Sequence, residues 1–370
     1  MNYAIIPVSC LILATIAVPR SSAAGDTDES PLQAAAERVA EGLRQGTVPP
    51  HTYKEELAWE ALLRWSEAAG REEWSDWVVT SARERGLRPD SRSARNRSPF
   101  NCLIWWLHEH DGDDAWLEPF IEQTRAYRKE VSRSPEGAIQ HGRGEKRGGG
   151  DAILIDALQD YASRMAMLGV ATGDETAFEE AVAQYRIHRD IVRDPESGLW
   201  RQGRGWGDDP DELSPGHWSR GHGWLILGMV DTLLILPEDS EAFAEMRTYL
   251  EEVADALVAV QQPSGMWHCL MNRPPDQSPP EASGTGLIAG NIGIALGHGF
   301  LEGEKYEQAA RKAFAALPAY VRDDGVVESV SPGPGPLSEE EPWMVESFEP
   351  GDPHGPFGIL FAALGELEMR

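Results

Sequence analysis

The chain has few cysteines, few basic residues beside its acidic ones, and no apolar run long enough for a confident membrane span. Only 3 cysteines occur in 370 residues, and Cys10 lies in the N-terminal apolar stretch. The other two, Cys102 and Cys269, do not make a disulfide framework, which excludes a disulfide-stapled scaffold. We expect both to be buried as small apolar side chains.

Basic residues are outnumbered by acidic ones, 33 to 61, and the formal net charge is -28. A surface of this sign repels phosphates, so nucleic acid and anionic membranes are excluded as partners. A local cluster of positive charge is therefore informative, because an anionic substrate requires one in its pocket.

Metal-binding motifs are also missing. The sequence contains no H-E-x-x-H motif, no paired-cysteine site and no EF-hand loop. We therefore expect neither a metal nor another cofactor.

The N-terminus is typical of an export signal. Ala4 to Val18 is mostly apolar, and the small residues Ser21 to Ala24 provide a cleavage site. We expect residues 1–24 to be a signal peptide and 25–370 to be one periplasmic or secreted domain, monomeric or homodimeric and free of the membrane after cleavage. An uncleaved N-terminal anchor is the alternative.

Helical periodicity dominates the rest of the chain. It predicts about twelve helices, with Gly325 to Val330 as the best strand candidate. The predicted helices are 31–45, 53–69, 71–86, 98–110, 114–132, 151–169, 174–193, 218–236, 239–262, 284–300, 303–321 and 355–369.

Short turns alternate with long connections between these helices. Ala69-Gly70, Asp111-Gly112-Asp113 and Thr172-Gly173-Asp174 are similar turns after similar apolar helices, which indicates a repeated helical hairpin. Six such hairpins close into an all-α (α/α)6 double-ring barrel; an open helical solenoid is the alternative. The long connections would then share one end, where a functional site is expected.

The most informative segment is Trp218-Ser219-Arg220-Gly221-His222-Gly223-Trp224. Tryptophan offers an apolar face on which a sugar ring stacks, and arginine offers a planar fork that matches a carboxylate. Glycine lets the backbone approach a ligand. These are the requirements of a pocket for an acidic sugar, although an aromatic helix start packed in the core has the same composition.

This segment resembles the W-x-R-G-x-G-W motif of glycoside hydrolase families 88 and 105, the unsaturated glucuronyl and rhamnogalacturonyl hydrolases. Further segments resemble those families in the same order, across nearly all of residues 25–370. They are Ile153-Leu154-Ile155-Asp156, Gly198-Leu199-Trp200, Gly265-Met266-Trp267-His268, Glu281-Ala282-Ser283-Gly284-Thr285-Gly286 and Asp352-Pro353-His354-Gly355.

The resemblance implies the (α/α)6 fold and a role for several residues. Asp156 matches the catalytic acid/base, and burial near a helix start would raise its pKa and suit it to proton donation. A plain N-terminal helix charge is the alternative. Arg220 is the expected carboxylate clamp, or else an ion-pair partner, and Trp218 and Trp224 are expected to line the pocket. His222 either donates a hydrogen bond to the ligand or supports the helix start.

Weaker matches add Tyr53 as an aromatic contact, His141 facing the ligand and His354 at the rim. The chain also departs from the families: Asn101 stands where they have a second Asp, and Gln202 where they have His after the G-L-aromatic turn. Neither side chain titrates, so both are expected to contribute hydrogen bonds only.

The expected function is exported hydrolysis of lyase-generated acidic oligosaccharides, with removal of an unsaturated uronic acid by hydration of its vinyl ether. One alternative is an ordinary inverting glycosidase, with Asp208, Asp209 or Glu145 as the base across from Asp156. The other is a catalytically inactive carbohydrate-binding protein.

Overall fold

The computed structural model describes residues 29–50, 52–85, 101–142, 151–332, 348 and 350–370, and helices dominate them. The predicted signal peptide, 1–24, lies outside the described residues. The helices of the described part are α1 (Pro31–Arg44), α2 (Tyr53–Ala69), α3 (Glu72–Arg85), α4 (Asn101–Asp111), α5 (Asp114–Glu130), α6 (Asp156–Thr172), α7 (Glu175–Val192), α8 (Ser219–Ile235), α9 (Glu241–Val260), α10 (Ala282–Gly297), α11 (Glu304–Ala316) and α12 (Gly355–Glu368).

The short turns between paired helices are built from end-capping residues. Gly173 ends α6 in the left-handed region, with φ 70°, and the next residue, Asp174, begins α7 by accepting a hydrogen bond from Thr176 N at 3.1 Å. Gly70 closes α2 in the same way, with φ 68°. Since a left-handed residue favours glycine and an Asp caps free N–H groups, the Gly173-Asp174 turn reverses the chain in two residues.

The helices form two rings. Each even-numbered helix contacts the next even-numbered one, from α2 through α4, α6, α8 and α10 to α12, and α12 returns to α2. Each odd-numbered helix packs outside against an even-numbered neighbour. This closure confirms the predicted (α/α)6 barrel and excludes the open solenoid.

Glycines set the closest helix pair, α10 against α12. A Cβ on Gly290 would lie 2.3 Å from Phe361 O, and one on Gly293 would lie 2.5 Å from Gly365 O. Real Cβ atoms do not approach backbone oxygens so closely, so these positions require glycine for the two backbones to touch.

A small antiparallel sheet precedes α6, and here the prediction of a helix over 151–169 was wrong at its start. β2 (Asp151–Leu154) pairs with β1 (His141–Gly142) on one side and with β3 (Gly203–Arg204) on the other. The apolar residues of β2 are buried on pairing, and the helix begins only at Asp156.

The prediction of a strand at Gly325 to Val330 was also wrong. Val321 and Val327 form one isolated bridge across a turn at Gly325, with φ 78°, and no longer ladder follows there. The helix predicted over 303–321 ends at Ala316 and continues as a 3-10 turn, Leu317–Tyr320, because Pro318 has no N–H for an α-helical bond.

Cys102 and Cys269 are buried and free, as expected of small apolar side chains. Within the described ranges, no helix has both the length and the apolar character needed to cross a membrane.

Candidate active site

The starts of the inner helices converge at one end of the barrel. Short turns follow the inner helices at the other end, so the long connections and the N-termini of α2, α4, α6, α8, α10 and α12 share this mouth. Helix N-termini carry partial positive charge and unpaired N–H groups. The mouth therefore favours an anion although the whole chain is strongly acidic.

Asp156 is the first residue of α6 and faces this mouth. Its side chain is partly exposed, whereas its Oδ1 atom is buried and has no hydrogen-bond partner among the described residues. Burial raises the pKa of Asp156 to about 6, against the opposing effects of Arg220 and Gln202. A carboxyl group with this pKa is in part protonated near neutral pH and is suited to proton donation.

The neighbours of Asp156 are placed by the sheet and by α8. Ile155 N donates to Gln202 O at 3.0 Å, which brings the Gln202 side chain beside the carboxyl group. The Gln202 side chain is buried, and Nε2 has no well-aligned partner in the described part. A Cβ on Gly221 would lie 3.5 Å from Asp156 Oδ1, so glycine here keeps the space around the acid open.

Arg220 lies beneath the mouth and is wholly buried. Its Nη1 donates to Ser331 O at 2.8 Å and to Ser283 Oγ at 3.1 Å, and Glu281 Oε1 lies 3.5 Å away. Nε and Nη2 have no partner in the described ranges. Arg220 is thus held at Nη1, and its Nε and Nη2 donors are unused within the described residues. Its role as the carboxylate clamp stays a prediction.

The two tryptophans of the segment are packed more deeply than a sugar platform usually is. Trp218 stacks on the Arg220 guanidinium at 4.4 Å, and its Nε1 donates to Ser331 Oγ at 3.2 Å. Trp224 is 8% exposed and packs against Phe357, with ring centroids 4.8 Å apart. A role of either ring in lining the pocket or stacking on substrate stays a prediction.

His222 supports the fold with both ring nitrogens. Nε2 accepts from Trp200 N at 2.9 Å, and Nδ1 lies 2.9 Å from Trp218 O, so Nδ1 carries the proton and donates it. Burial lowers the pKa of His222 to about 3. Of the two roles expected for this residue, the structure places it in the second, as support of the helix start.

Tyr53 and His354 meet at the rim. Tyr53 starts α2, His354 precedes α12, and the Tyr53 hydroxyl lies 2.7 Å from His354 Nε2. On the other side of the imidazole, His354 Nδ1 lies 2.5 Å from Asp352 Oδ1. Asp352 thus holds His354 in place through the backbone N–H and through the ring.

His141 reaches the mouth from β1, next to the strand that leads to Asp156. Its ring lies 6.0 Å from that of Trp206. Trp206 was not among the residues predicted from sequence, although the glycines on both sides of it indicate a turn where backbone and ligand can approach.

Some of the side chains proposed at the position of a second carboxylate lie outside the described residues. Asn101 begins α4, but its side chain lies outside the described residues, as does Glu145. Asp208 and Asp209 are exposed in the connection before α8. In the described ranges, no cluster of His, Cys, Asp and Glu is suited to hold a metal ion.

Sequence reasoning missed the residues that anchor Arg220. Glu281 is buried and accepts hydrogen bonds from Ser283 Oγ at 2.6 Å, from Ser331 N at 3.1 Å and from Gly284 N. The E-x-S-G-T motif was the available signal, because a carboxylate followed by small residues at a helix start caps free N–H groups.

A ring of inner helix starts with an acid of raised pKa, Asp156, at its mouth is the architecture of an (α/α)6 glycoside hydrolase. The chain belongs to Glycosyl Hydrolase Family 88, whose sequence model matches residues 33–368. The resemblance seen in the sequence motifs is thereby confirmed, and the protein is an enzyme of the glycoside hydrolase class.

Characterised relatives and solved structures agree with this assignment. Unsaturated rhamnogalacturonyl hydrolase YesR of Bacillus subtilis is 27% identical over 280 residues, which cover 74% of this chain and 77% of that protein. An unsaturated 3S-rhamnoglycuronyl hydrolase of Alteromonas sp. is 25% identical over 249 residues, 64% of this chain and 60% of that protein.

Two solved structures share the fold. A possible member of the GH105 family from Klebsiella pneumoniae has a TM-score of 0.76 at 21% identity, covering 93% of this chain and 94% of the other. Unsaturated glucuronyl hydrolase from Bacillus sp. GL1 has a TM-score of 0.65 at 16% identity, covering 90% of this chain and 95% of the other.

Proposed function

We propose that this enzyme removes an unsaturated uronic acid from the non-reducing end of lyase-generated oligosaccharides. Its relatives carry the names of unsaturated uronyl hydrolases. The observation that carries the proposal is the acid Asp156, with a pKa of about 6, within electrostatic reach of the buried cation Arg220. An acid that can donate a proton next to an anchored positive charge suits a substrate that is both anionic and acid-sensitive.

The unsaturated ring is a vinyl ether with a C4=C5 double bond. Asp156 gives its proton to C4, and positive charge develops at C5 and the ring oxygen. Water adds to C5 and returns a proton to the Asp156 carboxylate, which restores the acid. The resulting hemiketal opens and releases the partner sugar, so one water is consumed for each bond broken.

This route needs one well-placed carboxyl group, whereas direct displacement needs two carboxylates flanking the bond. Asp208 and Asp209, the described candidates for a second carboxylate, are exposed residues of a turn. The exposure of both residues therefore favours hydration over ordinary inverting hydrolysis.

Arg220 suits the substrate carboxylate through its two unused donors, Nε and Nη2. The converging helix N-termini add to the positive potential.

The test is a panel of lyase products from pectin, ulvan, glycosaminoglycan and gellan, followed by ultraviolet absorbance and by sugar release. Loss of the unsaturated uronyl band together with sugar release supports hydration. Release while the band persists would show ordinary hydrolysis, and neither signal on any member of the panel would reject the proposal.

We further propose that the protein works outside the cytoplasm, as a periplasmic or secreted enzyme. The support is the apolar stretch Ala4 to Val18 followed by small residues. N-terminal sequencing of the protein from its native cells should give a mature chain starting near Gly25; a chain that retains Met1 in the cytoplasmic fraction would contradict export.

A further inference from the structure

Three side chains form a continuous hydrogen-bonded chain at the rim of the site. Asp352 Oδ1 lies 2.5 Å from His354 Nδ1 and accepts from His354 N at 3.0 Å. His354 Nε2 lies 2.7 Å from the Tyr53 hydroxyl. The chain joins the start of α2 to the start of α12 and uses both ring nitrogens of His354.

The direction of these hydrogen bonds follows from charge. Burial would raise the pKa of Asp352, but the hydrogen bonds that it accepts from His354 oppose burial, and the pKa lies below its ordinary value. A charged Asp352 only accepts, so His354 Nδ1 carries the proton. Burial also lowers the pKa of His354 to about 3, which keeps the imidazole neutral.

A neutral imidazole with its proton on Nδ1 has a bare Nε2, and a bare Nε2 accepts. The Tyr53 O–H therefore donates to His354, and any further hydrogen bond at the Tyr53 oxygen is one that this oxygen accepts. The direction of the hydrogen bond at the phenol is thus set by His354, because a phenol by itself can either donate or accept. We call this direction the polarity of the three-residue chain.

Tyr53 lies at the start of α2, at the mouth end of the barrel. The residue is 39% exposed, and its phenol is close enough to Arg220 and Asp156 for both charges to act on its pKa. Burial of the phenol has the largest effect and raises that pKa, so the phenol stays protonated at neutral pH. The acceptor oxygen and the proton-donating acid therefore lie at the same end of the barrel, within electrostatic reach of each other.

We propose that Asp352 and His354 are positioning residues that hold the Tyr53 oxygen as a hydrogen-bond acceptor for an O–H group bound over Asp156. That O–H group belongs to a hydroxyl of the sugar or to the attacking water. The nature of the O–H group rests on the proposed function, whereas the polarity of the three-residue chain does not.

The first experiment determines, without substrate, which ring nitrogen of His354 carries the proton. Nitrogen NMR of histidine-labelled enzyme, with His354 assigned by comparison with His354→Gln, should show the neutral Nδ1–H tautomer of His354. Asp352→Asn should weaken that preference, because an amide can donate to Nδ1 and force the proton to Nε2. A wild-type His354 with its proton on Nε2 would overturn the proposal, whatever the substrate is.

The second experiment is a double-mutant cycle with Tyr53→Phe, Asp352→Asn and the two combined, assayed on an unsaturated disaccharide. Each single change should lower kcat/KM by roughly tenfold or more, as expected for a lost hydrogen bond in a desolvated site. The combined variant should be no worse than Tyr53→Phe alone, because Asp352 acts through the phenol. Asp323→Asn, an exposed residue nearby, is the control and should behave as wild type.

The kinetic split separates the two sources of the O–H group. A raised KM indicates a sugar hydroxyl, and a lowered kcat with KM unchanged indicates the water. Losses that add in the combined variant, with each protein still folded by thermal melting, would show that Asp352 and Tyr53 act independently and would overturn the proposal. Wild-type enzyme inactive on every unsaturated disaccharide would reject the proposed function, and the NMR result would still decide the polarity.

Discussion

Arg220 Nη1 lies 3.5 Å from Glu281 Oε1, and both side chains are wholly buried. Serine hydroxyls and backbone groups add hydrogen bonds to Arg220 Nη1 and to the Glu281 carboxylate. A buried pair is costly to break because the remaining charge loses its partner. The pair therefore fixes the guanidinium so that its other donors point in one direction.

Arg220→Lys should separate the anchoring of the pair from carboxylate recognition. The variant keeps the charge beside Glu281 but loses the planar fork. We expect kcat/KM to fall by about tenfold or more on a uronic acid substrate and much less on its methyl ester. Equal losses on both substrates would place Arg220 in a purely structural role.

Asp156→Asn should abolish turnover while the fold is kept. The amide has nearly the same shape but no acidic proton that it could transfer to C4. We therefore expect kcat to drop by about 100-fold or more. Steady-state assays on an unsaturated disaccharide measure this, with thermal melting as the check on folding. Asp190→Asn, at an exposed position on α7, is the control; an Asp156→Asn enzyme with most of its activity would remove this residue from the chemistry.

Gln202→Leu should change the pH dependence of the reaction. Activity requires protonated Asp156, whose pKa is about 6, so kcat/KM of the wild type should fall as pH rises through about 6. Gln202 favours the charged form of Asp156, so its removal should raise that pKa and move the falling limb to higher pH. A limb that stays in place in full pH profiles would show that Gln202 does not act on the acid.

His222→Asn should reduce the acid sensitivity of folding. Burial lowers the pKa of His222 to about 3, whereas an unfolded histidine takes up a proton near pH 6.5. The unfolded state thus binds about one more proton between these values, and stability falls as the pH falls through that window. Urea unfolding at pH 7, 6 and 5 should show a shallower pH dependence in the variant; the same slope in both proteins would contradict the assignment.

Gly290→Ala should destabilise the barrel through the α10–α12 contact. The added Cβ would lie 2.3 Å from Phe361 O, so the two helices must move apart. Overpacking of this kind costs about 1–3 kcal/mol in free energy of unfolding. Denaturant melts measure this loss, with Glu307→Ala at an exposed position on α11 as the comparison. A Gly290→Ala protein as stable as the comparison variant would show that the helices tolerate a wider spacing.

The sequence by itself determined the helices and their pairing. Apolar periodicity placed most helices within a few residues, and turns such as Thr172-Gly173-Asp174 carry their own signal because a left-handed glycine and a capping Asp are local requirements. The exception, β2, was read as part of a helix. A short apolar segment has no period of its own, and only pairing with β1 and β3 selects a strand.

Tertiary structure decided what each candidate residue does. Asp156, Arg220 and His222 all lie in motifs. The motifs did not show that both ring nitrogens of His222 form hydrogen bonds with the backbones of Trp200 and Trp218. Nor did they show that Arg220 is wholly buried beside Glu281. Asp352 and Tyr53 are about 300 residues apart in sequence, so no local pattern could join them through His354. Hydrogen bonds between distant helix starts exist only once the ring has closed, because closure is what brings α12 back to α2.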